Sequence, residues 1–283
     1  MEAKLNVTIL AHTPEFEQNI VRGARLCYSS ANIEELKDKV TPEDAEKFLN
    51  MILEIGHGSI LEHSSITFGI EGISRSLSHQ LVRHRIGCSF SQKSQRYVNE
   101  TDFNFIVPNP IKNNPKAYEA FLKYMKTDQD AYEELYYILL NGLIDDFYKE
   151  KNENQNPKIY KDLDQKFEVF KSEHKNEYNK FSKIAAENAR AVLPNACETK
   201  IQVTMNVRAL FNFFKERLCD RAQEEIREMA FEMWKACMEI SPTIFKYAVP
   251  TCVNGKCKEG KMSCGKMLQY KQKYKEIIDN YNK

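Results

Sequence analysis

The stretch from residue 83 to residue 97, RHRIGCSFSQKSQRY, constrains this chain more than any other. It contains three arginines, one histidine and one glycine, and few of its side chains could fill a hydrophobic core. It follows an apolar helical pattern at Leu77, Leu81 and Val82, which must be buried. A cationic, donor-rich loop is therefore attached to a rigid support. That arrangement is typical of a phosphate site, because guanidinium groups bind phosphate oxygens in pairs. A solvated turn with scattered surface charge is the alternative.

Arginine is unevenly distributed along the chain. Of the 41 basic residues only 11 are arginine, and residues 97–189 contain 13 lysines and no arginine. Apart from Arg22 and Arg25, the arginines lie within residues 75–96 and 190–227. Since the chain uses lysine for ordinary solvated charge, we expect its clustered arginines to act where planar, bidentate geometry matters.

Composition sets the broad class of the protein. With 283 residues the chain is long enough to bury a full core, and a formal net charge of +1 gives no global field that would drive binding to nucleic acid or to a membrane. The sequence has no secretory signal pattern and no apolar run long enough to cross a membrane. We therefore expect a cytoplasmic protein.

Hydrophobic periodicity and turn signals predict a mixture of helices and strands. Strands are predicted over residues 4–11, 64–73, 103–108 and 200–205. Helices are predicted over residues 15–28, 42–55, 115–149, 159–192, 207–214 and 220–239, with a polar break over residues 149–157 and a helical tail within residues 265–283. Thr41, Ser74 and Asn206 are predicted to cap the helices that follow them, because their short polar side chains accept hydrogen bonds from backbone amides.

Two further polar clusters accompany the basic stretch. The first is residues 56–63, GHGSILEH, where two glycines let the backbone approach a ligand closely. The second consists of Arg190 and residues 206–217, in which Arg208 and Asn212 are four apart and share a helical face. Each cluster has a plainer interpretation: a turn between two elements for the first, and a surface helix with ordinary charges for the second.

The basic stretch resembles a family signature. Arg83-His84-Arg85, followed after eight residues by Ser94-Gln95-Arg96, is similar to the signature of flavin-dependent thymidylate synthases in its longer form, since the usual spacing is seven residues. The two further clusters resemble other segments of the same family. The resemblance implies an α+β fold with a largely antiparallel sheet and long packed helices. Residues 1–250 would form the catalytic flavin- and nucleotide-binding domain, and residues 251–283 a cysteine-rich tail.

The resemblance assigns roles to residues by their position. The residues where the family binds FAD are Ser59, Arg83, His84, Arg85, Gln92, Asn206, Arg208 and Asn212. The residues where it binds dUMP are Gln80, Leu81, Val82, Arg83, Gln92, Lys93, Ser94, Gln95, Arg96, Arg190 and Arg217. Arg217 stands where the family has the catalytic arginine that engages the uracil ring and favours ionisation at N3. The alternative for Arg217 is a helix-end arginine paired with Glu216 or Asp220. Gln92 departs from members that have glutamate there.

The function implied by the resemblance is the reductive methylation of dUMP to dTMP. Methylenetetrahydrofolate would supply the one-carbon unit, FAD reduced by NADPH would supply the hydride, and the enzyme would be a homotetramer with its sites between subunits. The residues suit such a reaction, since a bound cofactor carries the redox chemistry and the protein need only orient and polarise. No protein nucleophile is then required. Cys88, whose arginine neighbours could lower its thiol pKa, is not expected to act as one.

Cysteine usage indicates one more site. Eight cysteines in a cytoplasmic chain of this size do not predict a disulfide framework, and most of the first five are expected to be small buried residues. Cys252, Cys257 and Cys264 lie close together in the sequence and are predicted to hold zinc, with a fourth ligand such as Cys219 or Cys237 from elsewhere in the fold. Three reduced thiols in a loose tail are the alternative.

A function of another class stays open at this point. In a non-enzymatic RNA-binding or zinc-dependent interaction protein, the arginine loop would contact phosphates and the C-terminal cysteines would hold a metal. The near-neutral charge and the lack of RNA-binding aromatic motifs count against this interpretation. A flavin absorbance spectrum would distinguish the two classes.

Overall fold

The computed structural model describes residues 1–151 and 161–281. The chain divides into two compact units. The first, here called the helical unit, comprises Met1–Ala3 and Lys93–Thr199. The second, here called the sheet unit, comprises Lys4–Gln92 and Lys200–Lys283. The predicted division at residue 250 stays a prediction.

The elements follow one another along the chain as follows. The strands are β1 (Asn6–His12), β2 (Ser65–Ser74), β3 (Cys88–Gln92) and β4 (Glu198–Asn206). The helices are α1 (Phe16–Leu26), α2 (Ile33–Lys39), α3 (Pro42–Ile55), α4 (Arg75–Leu81), α5 (Asn109–Lys112), α6 (Pro115–Glu150), α7 (Leu163–Glu173), α8 (Lys175–Ala189), α9 (Val207–Arg217), α10 (Glu224–Ile240), α11 (Pro242–Phe245), α12 (Thr251–Asn254) and α13 (Met267–Tyr281). Short 3-10 turns lie at Ser59–His63, Arg190–Val192 and Gly260–Met262.

The strands form one sheet in the order β1-β2-β4-β3. The outer pairs, β1 with β2 and β3 with β4, are antiparallel, and Phe90 of β3 lies opposite Val203 of β4. In β2 the alternating residues Ile66, Phe68 and Ile70 are buried. This matches the period of two along a strand whose one face packs on a core. The observed α+β architecture, with its long helices, confirms the expected fold class.

Three helix starts are fixed by the side chains that the sequence predicts. Thr41, Ser74 and Asn206 each accept a hydrogen bond from the amide three residues further on, at 3.2, 3.0 and 2.8 Å. Each such cap stabilises its helix by about 0.5–2 kcal/mol, because it satisfies a backbone donor that has no partner within the helix. Two of these caps, Ser74 and Asn206, begin helices that carry predicted site residues, namely Gln80 and Leu81 on α4 and Arg208, Asn212 and Arg217 on α9.

The core of the sheet unit extends into the C-terminal helix. Trp234 of α10 is fully buried and donates from Nε1 to the carbonyl of Phe245 at 3.0 Å. Its ring packs at 5.2 Å, edge to face, against Tyr274 of α13. Because Tyr274 is itself buried, α13 is an integral part of this core.

The helical unit is built around α6 and α8. Tyr132, Tyr136 and Phe170 are buried in its main core, and the hydroxyls of Tyr136 and Ser182 lie 2.7 Å apart. A smaller cluster surrounds Phe103. Packing of aromatic side chains between long helices stabilises this unit.

Most predicted elements are confirmed, with exceptions. Helices α2, α5, α11 and α12 were not predicted, and the helix predicted over residues 159–192 is divided at His174 into α7 and α8. The strand predicted over residues 103–108 is wrong, since only Phe105 makes β-bridges, each of them isolated. Residues 88–92 form the unpredicted strand β3. Residues 152–157 of the predicted polar break and residues 159–160 of the predicted helix lie outside the described part of the chain. Among the helices described, none is long and apolar enough to cross a membrane.

Candidate active site

Helix α4 is fixed at its start by a half-buried carboxylate. The backbone amide and the hydroxyl of Ser74 both donate to Glu225, each at 2.7 Å, while the same hydroxyl accepts from the amide of Leu77. Burial raises the pKa of Glu225 above its ordinary value. Near the other end, Gln80 Nε2 lies 3.5 Å from Gln223 Oε1. Helix α10 therefore holds α4 and the stretch that follows it.

The stretch after α4 presents its arginines to solvent. Leu81 is fully buried in the core of the sheet unit, whereas Val82 is exposed. Arg83 and Arg85 are exposed as well, and neither guanidinium pairs with a carboxylate of the described residues. Unpaired guanidinium groups on a rigid support are suited to phosphate oxygens.

His84 and Arg217 contact each other. Arg217 Nε donates to His84 Nε2 at 3.0 Å, and the His84 ring packs edge-on against Phe213 with centroids 5.0 Å apart. Burial lowers the pKa of His84, and the charge of Arg217 lowers it further. His84 is therefore neutral near pH 7, with its proton on Nδ1 and Nε2 as acceptor. Because Arg217 uses Nε for this contact, both of its Nη groups remain as donors.

Arg217 is not a helix-end arginine paired with a neighbouring acid. The Asp220 carboxylate accepts from Lys266 at 2.9 Å and from the Tyr270 hydroxyl at 3.0 Å. The hydrogen bond from Lys266 is the main reason that the pKa of Asp220 is lowered. In the described part of the chain, neither Asp220 nor Glu216 forms an ion pair with Arg217. The plainer interpretation of Arg217 is therefore wrong.

Gly87 lets the basic stretch approach the start of α9. Its φ is 71°, and a Cβ at this position would lie 2.5 Å from the side-chain nitrogen of Asn206. The backbone amide of Asn206 donates to the backbone carbonyl of Gly87 at 2.9 Å. A larger residue would strain the backbone and displace Asn206. The structure thus brings together two parts of the predicted FAD site that are distant in sequence.

Strand β3 continues the basic stretch and holds Gln92 against α4. Gln92 Nε2 donates to Ser78 Oγ at 2.9 Å. Cys88 begins the strand, with its sulfur 3.5 Å from the carbonyl of Ile86, and burial raises the pKa of its thiol. A raised pKa leaves less thiolate at neutral pH. The expectation that neighbouring arginines could lower this pKa is therefore wrong.

The turn Ser59–His63 lies beside the start of α9. Its first residue, Ser59, is exposed, and its Glu62 forms an ion pair with Arg208. A cavity of about 500 Å³ opens next to this pair. The residues that line it include Gly58, Arg208, Asn212, Lys215 and Lys258. Two predicted FAD residues, Arg208 and Asn212, therefore share one cavity.

The remaining predicted nucleotide residues belong to the helical unit. Arg96 pairs with Glu187 of α8 at 2.9 Å, and the Arg96 Nε is buried without a hydrogen-bond partner among the described residues. Arg190 lies three residues beyond Glu187, at the start of the 3-10 turn that follows α8. Lys93 pairs with Glu100 at 2.9 Å.

Two residues of the same segment have structural contacts. Gln95 is buried, and its Nε2 donates to the sulfur of Cys197 at 3.6 Å. Ser94 Oγ accepts from the amide of Arg96 at 3.2 Å, which fixes the turn. These contacts orient the segment in which Lys93 and Arg96 lie.

The cysteines fall into two groups. Cys197 and Cys237 are buried as expected, but Cys27 is exposed, and Cys88 and Cys219 are partly exposed. Four thiols line a cavity of about 420 Å³ that Arg217 also lines. They are Cys219, Cys252, Cys257 and Cys264. Burial raises the pKa of Cys252, and the three neighbouring thiols raise it further.

The metal site predicted at Cys252, Cys257 and Cys264 is not present as a formed site. Within residues 1–151 and 161–281, no group of three or more histidine, cysteine, aspartate or glutamate side chains is placed to hold a metal ion. The physical reason is that the three thiols are spread around a cavity. Of the two expected fourth ligands, Cys219 lines the same cavity without completing such a group among the described residues, and Cys237 is buried.

Three residues of the site were not predicted from the sequence. Glu225 clamps Ser74 across a separation of 151 residues, and Gln223 contacts Gln80 across 143. Neither contact can be recognised from a pattern in the local sequence. Phe213, which supports His84, is four residues before Arg217 on α9, and this helical spacing was the one signal that could have indicated it.

Residues 8–243 match the model of the family described as thymidylate synthase complementing protein. The chain is 43% identical over 270 residues to a flavin-dependent thymidylate synthase from Clostridium tetani, in an alignment that covers 95% of this chain and 97% of the relative. A flavin-dependent thymidylate synthase from Geobacter sulfurreducens is 41% identical over 275 residues, with 96% and 99% covered.

A solved structure shares the fold. The UMP/dUMP methylase PolB from Streptomyces cacaoi, determined with bound 5-Br dUMP, superposes with a TM-score of 0.59 at 19% identity. The superposition covers 87% of this chain and 94% of that one.

Proposed function

The chain belongs to the flavin-dependent thymidylate synthase family, and from this premise we propose that it methylates dUMP to dTMP as an FAD-dependent enzyme. Membership rests on a family match over residues 8–243 and on identities of 43% and 41% across nearly the whole chain. It favours an enzyme over the RNA-binding or zinc-dependent interaction protein that composition left open.

The residues present fit a dinucleotide cofactor. Arg83 and Arg85 are exposed, and their guanidinium groups can donate to a pyrophosphate. Because Gly87 has no side chain, the basic stretch can lie directly against Asn206. Arg208 lines the adjoining cavity. When bound, reduced FAD would supply the hydride for the reaction. The role of the protein is then to hold the cofactor and to exclude water from it.

The contact between Arg217 and His84 carries the catalytic proposal. Neutral His84 accepts from Arg217 Nε, which orients the plane of the guanidinium and leaves its two Nη groups for a ligand. We propose that these groups donate to the uracil ring and stabilise the negative charge that develops when N3 loses its proton. One preorganised donor of this kind is worth about 3–4 kcal/mol, or roughly 100- to 1,000-fold in rate.

The phosphate of the nucleotide is assigned to arginines of the helical unit. The buried Nε of Arg96 has no hydrogen-bond partner among the described residues, although its terminal nitrogen pairs with Glu187. An unsatisfied buried donor is unfavourable, and a phosphate oxygen would satisfy it. Arg190 directly follows α8, the helix that carries Glu187, and adds a second guanidinium group.

The other parts of the proposal rest on family membership. We propose NADPH as the reductant of the flavin, methylenetetrahydrofolate as the carbon donor and the cytoplasm as the location. We also propose a homotetramer with its sites between subunits.

Two measurements, a flavin absorbance spectrum and an assay of dTMP formation, together test the proposed enzymatic function. The purified protein should show a flavin spectrum, or acquire one with added FAD, and should form dTMP from dUMP when NADPH and methylenetetrahydrofolate are supplied. A protein that cannot be loaded with FAD would overturn it.

A further inference from the structure

Two cavities beside α9 meet at a shared wall. The cavity of about 500 Å³ that Arg208 lines is here called the Arg208 cavity, and the cavity of about 420 Å³ that Arg217 lines is called the Arg217 cavity. The residues that line both are Asn212, Lys215, Thr251 and Lys258. The first two belong to α9 and the other two to the C-terminal tail. The wall therefore carries one lysine from each segment.

The Arg208 cavity has a positively charged lining. Its lining in the described part of the chain includes no carboxylate, and its cationic residues are Arg208, Lys215, Lys256 and Lys258. Arg208 already pairs with Glu62. Among the residues that the structure describes, the three lysines form no ion pair. Unpaired cations around one cavity produce a positive potential, which attracts an anionic ligand.

The carboxylates of the neighbouring Arg217 cavity do not cancel this charge. Asp220 pairs with Lys266 at 2.9 Å. Glu259 pairs with Arg221 at 3.3 Å. Glu216 is the third carboxylate of the Arg217 cavity, and like the other two it is not among the residues that line the Arg208 cavity. The unpaired positive charge is therefore concentrated at the shared wall and in the Arg208 cavity.

The two lysines of the shared wall repel each other. Desolvation lowers the pKa of Lys215, the positive charge of Lys258 lowers it further, and the charge of Glu216 raises it by less. A like-charge contact of this kind is unfavourable until a ligand brings negative charge to it. Both lysines are exposed, so they stand at the mouth of the cavities. An end group with two carboxylates, one for each ammonium group, would suit this position.

We propose that Lys215 and Lys258 bind the glutamate carboxylates of the folate co-substrate, an inference that rests on the proposed function. The one-carbon donor must reach both the uracil ring, assigned to Arg217, and the flavin, assigned in part to Arg208. A ligand that does so passes the wall between their two cavities. Its glutamate end is remote from the reacting pterin and carries two carboxylates. A nicotinamide nucleotide needs to reach the flavin alone, so its 2′-phosphate is less suited to this wall.

Equilibrium binding of 5-formyltetrahydrofolate, a stable folate that does not turn over, tests the proposal without a measurement of activity. The full-length protein, supplied with saturating FAD and dUMP, is titrated by calorimetry with this folate and with 5-formyltetrahydropteroate, which lacks the glutamate. In the wild type, loss of the glutamate should raise Kd about fivefold or more. Added salt should weaken binding of the folate more than binding of the pteroate, because the contact is between exposed charges.

A double variant assigns this effect to the two lysines. In Lys215→Gln/Lys258→Gln the Kd for the folate should rise about fivefold or more, whereas the Kd for the pteroate should stay at its wild-type value, because the lysines then have no carboxylate to contact. Lys261→Gln is the matched control, since Lys261 is an exposed lysine of the same tail that is not among the lining residues of either cavity. It should bind both ligands as the wild type does. Melting temperatures check that the variants are folded.

Three results would overturn the proposal. The first is an unchanged Kd for the folate in the double variant, or an equal rise for folate and pteroate. The second is a rise confined to KM for NADPH, which would assign the lysines to the reductant. The third is a loss of flavin from the double variant, which would assign them to FAD. In each case the wild type still forms dTMP, so the proposed function stands, whereas a wild type that neither binds the folate nor forms dTMP would overturn both.

Discussion

Replacing His84 by phenylalanine removes the acceptor that holds Arg217 while keeping an aromatic ring against Phe213. In the wild type the Arg217 Nε to His84 Nε2 distance is 3.0 Å, and the two rings are 5.0 Å apart. A hydrogen bond from a charged donor contributes about 1.5–3 kcal/mol. Because Arg217 is partly exposed, solvent screens part of this energy, so we take the lower end. The expected loss in kcat is roughly 10- to 30-fold.

The assay is dTMP formation at saturating FAD and dUMP. His84 is also proposed to contact the flavin. At saturating FAD, weaker flavin binding does not lower the rate, so a loss in kcat reports the positioning of Arg217. His79→Phe, at an exposed position on α4, is the matched control and should keep the wild-type rate. Unchanged kcat in His84→Phe under these conditions would refute the claim that His84 orients Arg217.

The pH dependence provides a second test of the same contact. Burial and the charge of Arg217 lower the pKa of His84 below its ordinary value of 6.5, so the folded protein favours the neutral ring. The stability from this contact is fully present above pH 6.5 and is lost as the pH falls through the lowered pKa, because the protonated ring can no longer accept from Arg217. The acid limb of the kcat profile should therefore lie below pH 6.5 and should change in His84→Phe. An identical acid limb in both proteins would contradict this assignment.

Three further substitutions test neighbouring parts of the site. Arg85→Ala should lose at least about tenfold in FAD affinity at unchanged melting temperature, with exposed Lys47→Ala as control, because it removes a guanidinium donor to the pyrophosphate; equal flavin retention by both would reject the assignment. Gly87→Ala should lower the free energy of unfolding by about 2 kcal/mol or more in denaturant titration, since the left-handed backbone and the contact with Asn206 both oppose a Cβ; an unaltered midpoint would argue against that strain. Arg96→Ala should raise KM for dUMP by about tenfold or more with less effect on kcat, as expected for a phosphate contact, and an unaffected KM would remove Arg96 from the nucleotide site.

Much of the fold follows from local rules in the sequence. The caps at Ser74 and Asn206 act as predicted because capping depends on a few neighbouring residues. The alternation in β2 likewise predicts its buried face. Strand β3 was missed because three of its five residues, Ser89, Ser91 and Gln92, are polar, and what makes it a strand is pairing with β4, whose residues lie over a hundred positions later. Residues 103–108 alternate like a strand but find a partner only at Phe105.

The site shows the same division between local and distant information. Family resemblance placed Arg217 and His84 in the site, but it could not show that they contact each other, because that depends on how α9 packs against the stretch after α4. The clamp of Glu225 on Ser74 and the position of Cys219 at the cavity that Arg217 also lines are likewise products of tertiary packing. Such contacts have no signal in the periodicity of one segment.

The substitution Arg217→Lys tests the central claim most directly. Lysine keeps the positive charge but lacks the planar fork that can donate to His84 and the uracil ring at once. The measurement is single-turnover dTMP formation with FAD and dUMP at saturation, beside Arg25→Lys as the control in α1. We predict a rate roughly 100- to 1,000-fold below wild type, with flavin content and melting temperature nearly unchanged, whereas the control keeps full activity. Turnover by Arg217→Lys at close to the wild-type rate would contradict the account and pass the role to another residue.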